Sequence, residues 1–152
     1  MEPVSGASGG EICNCGALRR ATRHVSLMYD RHLAGSGLTS GQYSIIREIR
    51  GRGKAAPTLG ELAQAMVMDR TALTHTLKPL QREGLVELKA DLDDKRVRRV
   101  HVTAKGAKRH EAARDMWRRA QQKFSQSVGQ EEAAALRTLL RIVATSDLGV
   151  AP

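Results

Sequence analysis

Aromatic residues are scarce: the 152-residue chain has one Trp, two Tyr and one Phe, at positions 117, 29, 43 and 124. Large rings supply much of a small core's buried area, so a monomer of this length would be thinly packed, and burial between subunits is expected. The shortage also argues against a basic RNA-binding protein, because RNA readers stack bases on exposed rings. Cysteine is nearly absent, and Cys13 and Cys15 are too few for a disulfide scaffold. There is no C-x-x-C or H-x-x-x-H pair, and His24, His32, His75, His101 and His110 are scattered, so no metal site is expected. No apolar run approaches the roughly 18 residues that span a bilayer. The start, Met1-Glu2-Pro3 followed by Gly and Ser, lacks the basic and apolar regions of an export signal. The expectation is a soluble, cytoplasmic protein with no membrane partner. No Ser/His/Asp order, phosphate loop or paired-carboxylate motif is present, so neither catalytic residues nor a cofactor are expected.

Acid is the other shortage. Sixteen Asp+Glu stand against 25 Lys+Arg, a formal net charge of +9. Such a balance attracts polyanions over long range. The blander reading is solubility alone, and the distribution of charge along the chain bears on the choice.

Residues 1–11 are mostly small and polar and read as a flexible tail. Residues 12–152 read as one domain. Leu18, Ala21, Val25, Met28 and Tyr29 recur at helical spacing, and this first helix should end near Ala34-Gly35. Thr39-x-x-Gln42 is a capping box opening a helix that buries Tyr43, Ile45, Ile46 and Ile49 and stops at Gly51 and Gly53. Thr58-x-x-Glu61 opens a short helix with Leu59, Leu62, Ala63 and Met66 inward. Asp69 caps the next, whose Leu73, Leu77 and Leu80 share one side. Together these two form a helix-turn-helix. Pro79 should bend the second helix, which ends at Gly84. Leu85–Leu88 and Arg98–Val102 frame a β-hairpin, and a hairpin directly after a helix-turn-helix is a wing. A long helix from Thr103 (Ala113, Met116, Trp117, Ala120, Phe124) is broken at Gly129, and a last helix carries Leu136, Leu139, Leu140 and Val143. The fold class is therefore mainly α with a small β-wing: a winged helix-turn-helix at about 39–103, with N- and C-terminal dimerisation helices at about 12–34 and 104–145. The outer stripes have nothing in the winged core to cover them, which points to a C2 homodimer.

With Leu73, Leu77 and Leu80 inward, Arg70, Thr71, Thr74, His75 and Lys78 fall on the opposite face. Arg and Lys suit guanine edges or phosphates, Thr a thymine methyl, and His a hydrogen bond. Most polar helix faces are merely solvated, but this one lies on the second helix of a helix-turn-helix, where DNA contact is expected. From Lys95 to His110 the chain holds seven basic residues (Lys95, Arg96, Arg98, Arg99, Lys105, Lys108, Arg109) and no acid. Arg96 at the wing tip could enter a narrow minor groove. Asp93 or Asp94 beside it makes sense if it orients the arginine through a charge-assisted hydrogen bond.

These elements resemble the MarR family of dimeric winged-helix transcription regulators over about residues 12–145. The resemblance is carried by Gly37-Leu38-Thr39-x-x-Gln42-Tyr43, Leu59-x-x-Leu62-Ala63, Arg70-x-x-Leu73-Thr74, Leu80-x-x-x-Gly84-Leu85-Val86, Asp93-Asp94-Lys95-Arg96 and Val102-Thr103-x-x-Gly106. Each motif is weak alone; their order and spacing make the match. It implies that the Arg70–Lys78 face reads the major groove of a pseudo-palindromic operator in double-stranded DNA. Arg96 matches the wing arginine of the minor groove, with Asp94 its accompanying acid and Lys95, Arg98 and Arg99 beside it. It further implies dimerisation through the terminal helices and release of DNA when a small ligand or an oxidant acts near the first helix.

Two triggers are open. A small organic ligand, aromatic or phenolic, would bind between the dimer helices and the winged core, with Arg19, Arg23, Tyr29 and Tyr43 as lining residues. The alternative is a thiol-based peroxide sensor. The segment is similar to that of the organic hydroperoxide-sensing members, with Cys15 at the reactive position, Cys13 nearby and Tyr29 at a matching tyrosine, although Ser40 stands where those sensors carry a second tyrosine. A helix N-terminus with Arg19 and Arg20 one turn on favours a reactive thiol.

Overall fold

The computed structural model describes residues 13–53 and 55–149; the expected tail at 1–11 lies outside them. Six helices and one hairpin follow in the order α1 (Asn14–Leu33), α2 (Ser40–Gly51), α3 (Leu59–Ala65), α4 (Arg70–Arg82), β1 (Val86–Ala90), β2 (Arg98–Val102), α5 (Ala104–Val128) and α6 (Gln130–Thr145), with a 3-10 turn at Ala34–Ser36 after α1.

Local chemistry sets most of these boundaries. Both capping boxes form: Thr39 Oγ1 accepts from Gln42 N at 3.2 Å while Gln42 Oε1 accepts from Thr39 N at 3.0 Å, and Thr58 and Glu61 repeat the exchange at 3.1 and 2.7 Å. Asp69 caps α4 by accepting from Ala72 N at 2.8 Å. The first helix is capped by sulfur, Cys13 Sγ accepting from Gly16 N at 3.3 Å.

Both helices of the helix-turn-helix end in a Schellman motif. After α4, Leu85 N donates to Leu80 O at 2.8 Å and Gly84 N to Gln81 O at 2.9 Å, with Gly84 in the left-handed region at φ +68°. After α3, Met68 N donates to Ala63 O and Val67 N to Gln64 O, and the left-handed position is taken by Val67 at φ +50°. A β-branched residue there is an outlier, since its Cβ crowds the backbone that glycine would leave free. Pro79 lies within α4, and the helix continues to Arg82 with its C-cap at Glu83, just before Gly84, where its end was expected.

The strands pair antiparallel, Val86 with Val102 through Ala90 with Arg98. The chain before α3 adds a third edge: Val100 N donates to Pro57 O at 2.8 Å, and Thr58 bridges Arg99. Inside, Leu33, Ile45, Ile46, Leu62, Leu73, Leu77, Leu80, Leu85 and Val100 are all but inaccessible, each contributing roughly 1.5–3 kcal/mol of apolar burial. This core fixes α3, α4 and the wing as one body.

The outer helices differ. Along α6 only Ala133 is buried, while Leu139 is 60% and Ile142 55% exposed. Leu18 and Leu27 of α1 are also exposed. The α6 stripe and part of that of α1 lack cover, as expected, but the α5 stripe does not: Ala113 and Ala120 are buried, and Met116 and Trp117 pack on the core, because α2 lies against this face of α5.

Candidate nucleic-acid interface

Burial of Leu73, Leu77 and Leu80 turns α4 so that Arg70, Thr71, Thr74, His75 and Lys78 are all exposed. Thr71, Thr74, His75 and Lys78 share one side of α4, while Arg70, in its first turn, lies at the edge toward α3. Arg82, also exposed, lies one turn beyond Lys78 and extends the face; it was not among the residues expected there, although the helical period that marks Lys78 reaches it too. Arg70 leans its guanidinium over Gly60, where a Cβ would lie 3.1 Å from Nη2.

The wing tip is built on carboxylates. Asp91 Oδ1 accepts from the backbone N–H groups of Asp93 (2.9 Å) and Asp94 (3.2 Å), which closes the loop. Asp94 then accepts from Arg96 N at 3.0 Å and from the Arg96 guanidinium through both oxygens. The expectation that Asp93 or Asp94 orients the arginine is met by Asp94, and the Arg96 hydrogen bond holds its carboxyl below the ordinary range. Lys95, Arg96 and Arg98 are exposed.

Three basic residues of the Lys95–His110 run turn elsewhere. Arg99 is half-buried, its Nε bonded to Asp91 Oδ2 and its Nη1 donating to Ala56 O at 2.7 Å, with Glu61 at 3.9 Å. The Arg99 hydrogen bond is the main reason the Asp91 carboxyl falls to about 2. Arg99 thus ties the base of the wing to the chain entering α3, and its guanidinium is already occupied. Arg109 Nη1 donates to Glu83 Oε2 at 3.0 Å, and Lys105 Nζ to Glu83 O at 2.7 Å.

The residues expected to line an effector pocket do not converge. Tyr43 is buried, stacked on His110 at 4.4 Å and on Trp117 at 5.8 Å between centroids; it belongs to the core. Arg19 and Arg23 line a groove of about 1060 Å³ between the start of α1 and the end of α6, together with Cys15, Leu18 and Val143. Tyr29 opens instead onto a cleft of about 400 Å³ between α1, α2 and α5, shared with Ser26, Ser44, Arg47, Met66 and Trp117. Arg47 lies 5.2 Å over the Trp117 ring. These residues come from α1, α2, the end of α3 and α5, so no local spacing signals them. Burial raises the Tyr29 phenol above its ordinary value. Both cysteines are exposed and unbridged. Fourteen helical residues put Cys15 about 21 Å from Tyr29 along α1, so a contact between those two positions requires two chains.

Among the described residues no group of His, Cys, Asp or Glu could hold a metal ion, and no helix is long and apolar enough to cross a membrane.

A family model for the MarR family matches residues 36–97. Among solved structures, the M. tuberculosis transcriptional regulator MosR in complex with DNA is 34% identical, with a TM-score of 0.78, covering 88% of this chain and 94% of that one. A mutant of E. coli MarR complexed with operator DNA is 25% identical, with a TM-score of 0.75 and coverages of 85% and 91%. The apo form of wild-type E. coli MarR, also 25% identical, gives 0.69 with coverages of 88% and 98%. The chain therefore overlays the operator-bound mutant better than the apo protein. No curated protein matches the sequence.

Proposed function

The chain belongs to the MarR family of winged-helix DNA-binding transcription regulators, and on that premise we propose that it is a homodimeric repressor released from a pseudo-palindromic operator by a small aromatic or phenolic ligand. One observation carries the DNA reading: Arg70, Thr71, Thr74, His75 and Lys78 of α4 are all exposed while Leu73, Leu77 and Leu80 are buried. Side chains of these types suit base edges in a major groove. Beyond them the wing offers Arg96, held by Asp94, to the adjacent minor groove. The naked apolar stripe of α6 supports a dimer, which places two such units on one duplex and accounts for twofold operator symmetry.

The α1/α2/α5 cleft supports ligand control. It lies between the winged core and the outer helices, and it combines the Trp117 ring and Tyr29 with Arg47, a cation suited to a carboxylate. Trp117 is the only tryptophan, so its fluorescence reports on this cleft. Titration with benzoate and 4-hydroxybenzoate is expected to change Trp117 emission saturably and to release a bound duplex over the same concentrations, with Arg47→Ala weakening both responses. Release without any change at Trp117 would move the effector site elsewhere.

A second reading, thiol-based redox or peroxide sensing through Cys15, is favoured by one feature: both thiols are exposed, and Cys13 caps α1 through its sulfur. Peroxide should then release wild-type protein from DNA and spare Cys15→Ser; equal behaviour of the two proteins removes this reading.

A further inference from the structure

The C-terminal end of α4 presents a charge problem. Its last carbonyls lack intrahelical donors and form the negative end of the helix dipole, yet the C-cap residue is an acid, Glu83. Two cations of α5 meet it. Lys105 Nζ donates to the Glu83 carbonyl at 2.7 Å, and Arg109 Nη1 donates to the Glu83 carboxylate at 3.0 Å. Arg109 is 29% and Glu83 40% exposed. The same guanidinium lies beside Gly37 in the turn leaving α1, where a Cβ would sit 3.2 Å from Nη1. Around this contact the start of α5 is pressed onto the chain leaving α4. Thr103 Oγ1 donates to Gly84 O at 2.7 Å, and a Cβ at Gly106 would collide with the Leu85 carbonyl.

We infer that Arg109, assisted by Lys105, is a positioning residue that fixes the end of the recognition helix against α5, and does not serve as a phosphate contact. The inference rests on the reading of α4 as the DNA-recognition helix. Arg109 is mostly covered, with its guanidinium turned to Glu83 and to the Gly37 turn, whereas Arg96, also paired with an acid, projects almost fully into solvent. What the pair supplies is geometry: α5 runs on toward the exposed stripe of α6, so the arrangement of the two subunits sets the angle of each α4 through this strut.

The test uses the full-length protein and a duplex that wild type selects from a random library. Arg109→Ala and Glu83→Gln are each expected to weaken binding roughly two- to fivefold, the range of a partly exposed ion pair, with the salt slope unchanged. The charge-swapped double variant, Arg109→Glu with Glu83→Arg, should recover most of the loss, which a variant that merely misfolds cannot do. Inserting one base pair between half-sites should penalise Arg109→Ala less than wild type, because a loosened α4 tolerates the wrong spacing. Three results overturn the inference. One is a drop in salt slope of about 0.9 for Arg109→Ala, the signature of a lost phosphate contact. Another is tighter binding by Glu83→Gln, as simple removal of an acid near DNA would give. The third is wild-type affinity in both single variants. If wild type selects no duplex, the DNA reading itself fails, a distinct outcome.

Discussion

Asp94 accepts the Arg96 guanidinium through both carboxylate oxygens, at 3.1 and 3.2 Å, although Arg96 is 91% exposed. Exposed ion pairs contribute little to stability, so the pair's effect is to direct the guanidinium. Two consequences can be separated. Arg96→Ala should weaken binding to the selected duplex and lower the slope of log K against log salt by about 0.9, as one lost phosphate contact does. Asp94→Ala should also weaken binding, despite removing a negative charge, while leaving chain stability within about 0.5 kcal/mol. Tighter binding by Asp94→Ala would show that the acid merely repels DNA.

Val67 holds the left-handed position between α3 and α4 and is 63% exposed. An L-residue pays roughly 1–2 kcal/mol there, and the larger backbone entropy lost by glycine returns roughly 0.5–1 kcal/mol of that. Val67→Gly should therefore raise the unfolding free energy by a net amount of about 0.5–1 kcal/mol, read as a higher midpoint in urea unfolding. A destabilised variant would mean that the Val67 side chain has a packing role not visible in its exposure.

His110 is buried, and its Nδ1 lies 2.7 Å from Arg50 Nη1. A guanidinium can only donate, so Nδ1 must be unprotonated and the proton resides on Nε2, which has no partner among the described residues. Burial, then the Arg50 charge, lowers the His110 pKa from its ordinary value. The unfolded chain therefore binds the proton more readily, and stability falls as pH drops from about 6.5 toward the lowered value. Urea midpoints measured between pH 8 and pH 5 should show this loss in wild type and a smaller one in His110→Phe. Parallel curves for the two proteins would remove His110 from the acid response.

Leu140 and Val143 on α6 are 42% and 43% exposed in the single chain. If a second copy covers this stripe, Leu140→Asp should convert a dimer to a monomer in sedimentation, and the monomer should lose affinity for a two-half-site duplex. A dimer of unchanged strength would place the subunit contact elsewhere.

What was legible in the sequence follows the range of the interaction. Thr39 with Gln42 and Thr58 with Glu61 lie three residues apart, so their hydrogen bonds are fixed once the helix starts. The inward leucines of α4 followed from helical period. Asp94 with Arg96 was legible for the same reason, at a separation of two residues. Arg99 was read as a DNA contact because its partners are set by tertiary register: Asp91 faces it only after the hairpin closes, and Ala56 lies 43 residues away. Lys105 and Arg109 stand in the same basic run, and nothing local shows that they pair with Glu83, which is 22 and 26 residues distant. Tyr43 left ligand or core open until its stacking partners on α5 were placed. Fewer cations of the charge run are accordingly without an intramolecular partner than the run alone suggests.

Selection of duplexes from a random library by the purified protein tests the central claim most directly. The account predicts enrichment of a twofold-symmetric sequence with half-sites about one helical turn apart, bound by two chains, with preference at one position per half-site relaxed by Arg70→Ala. Enrichment of no sequence, or of an asymmetric one bound by a single chain, would contradict it.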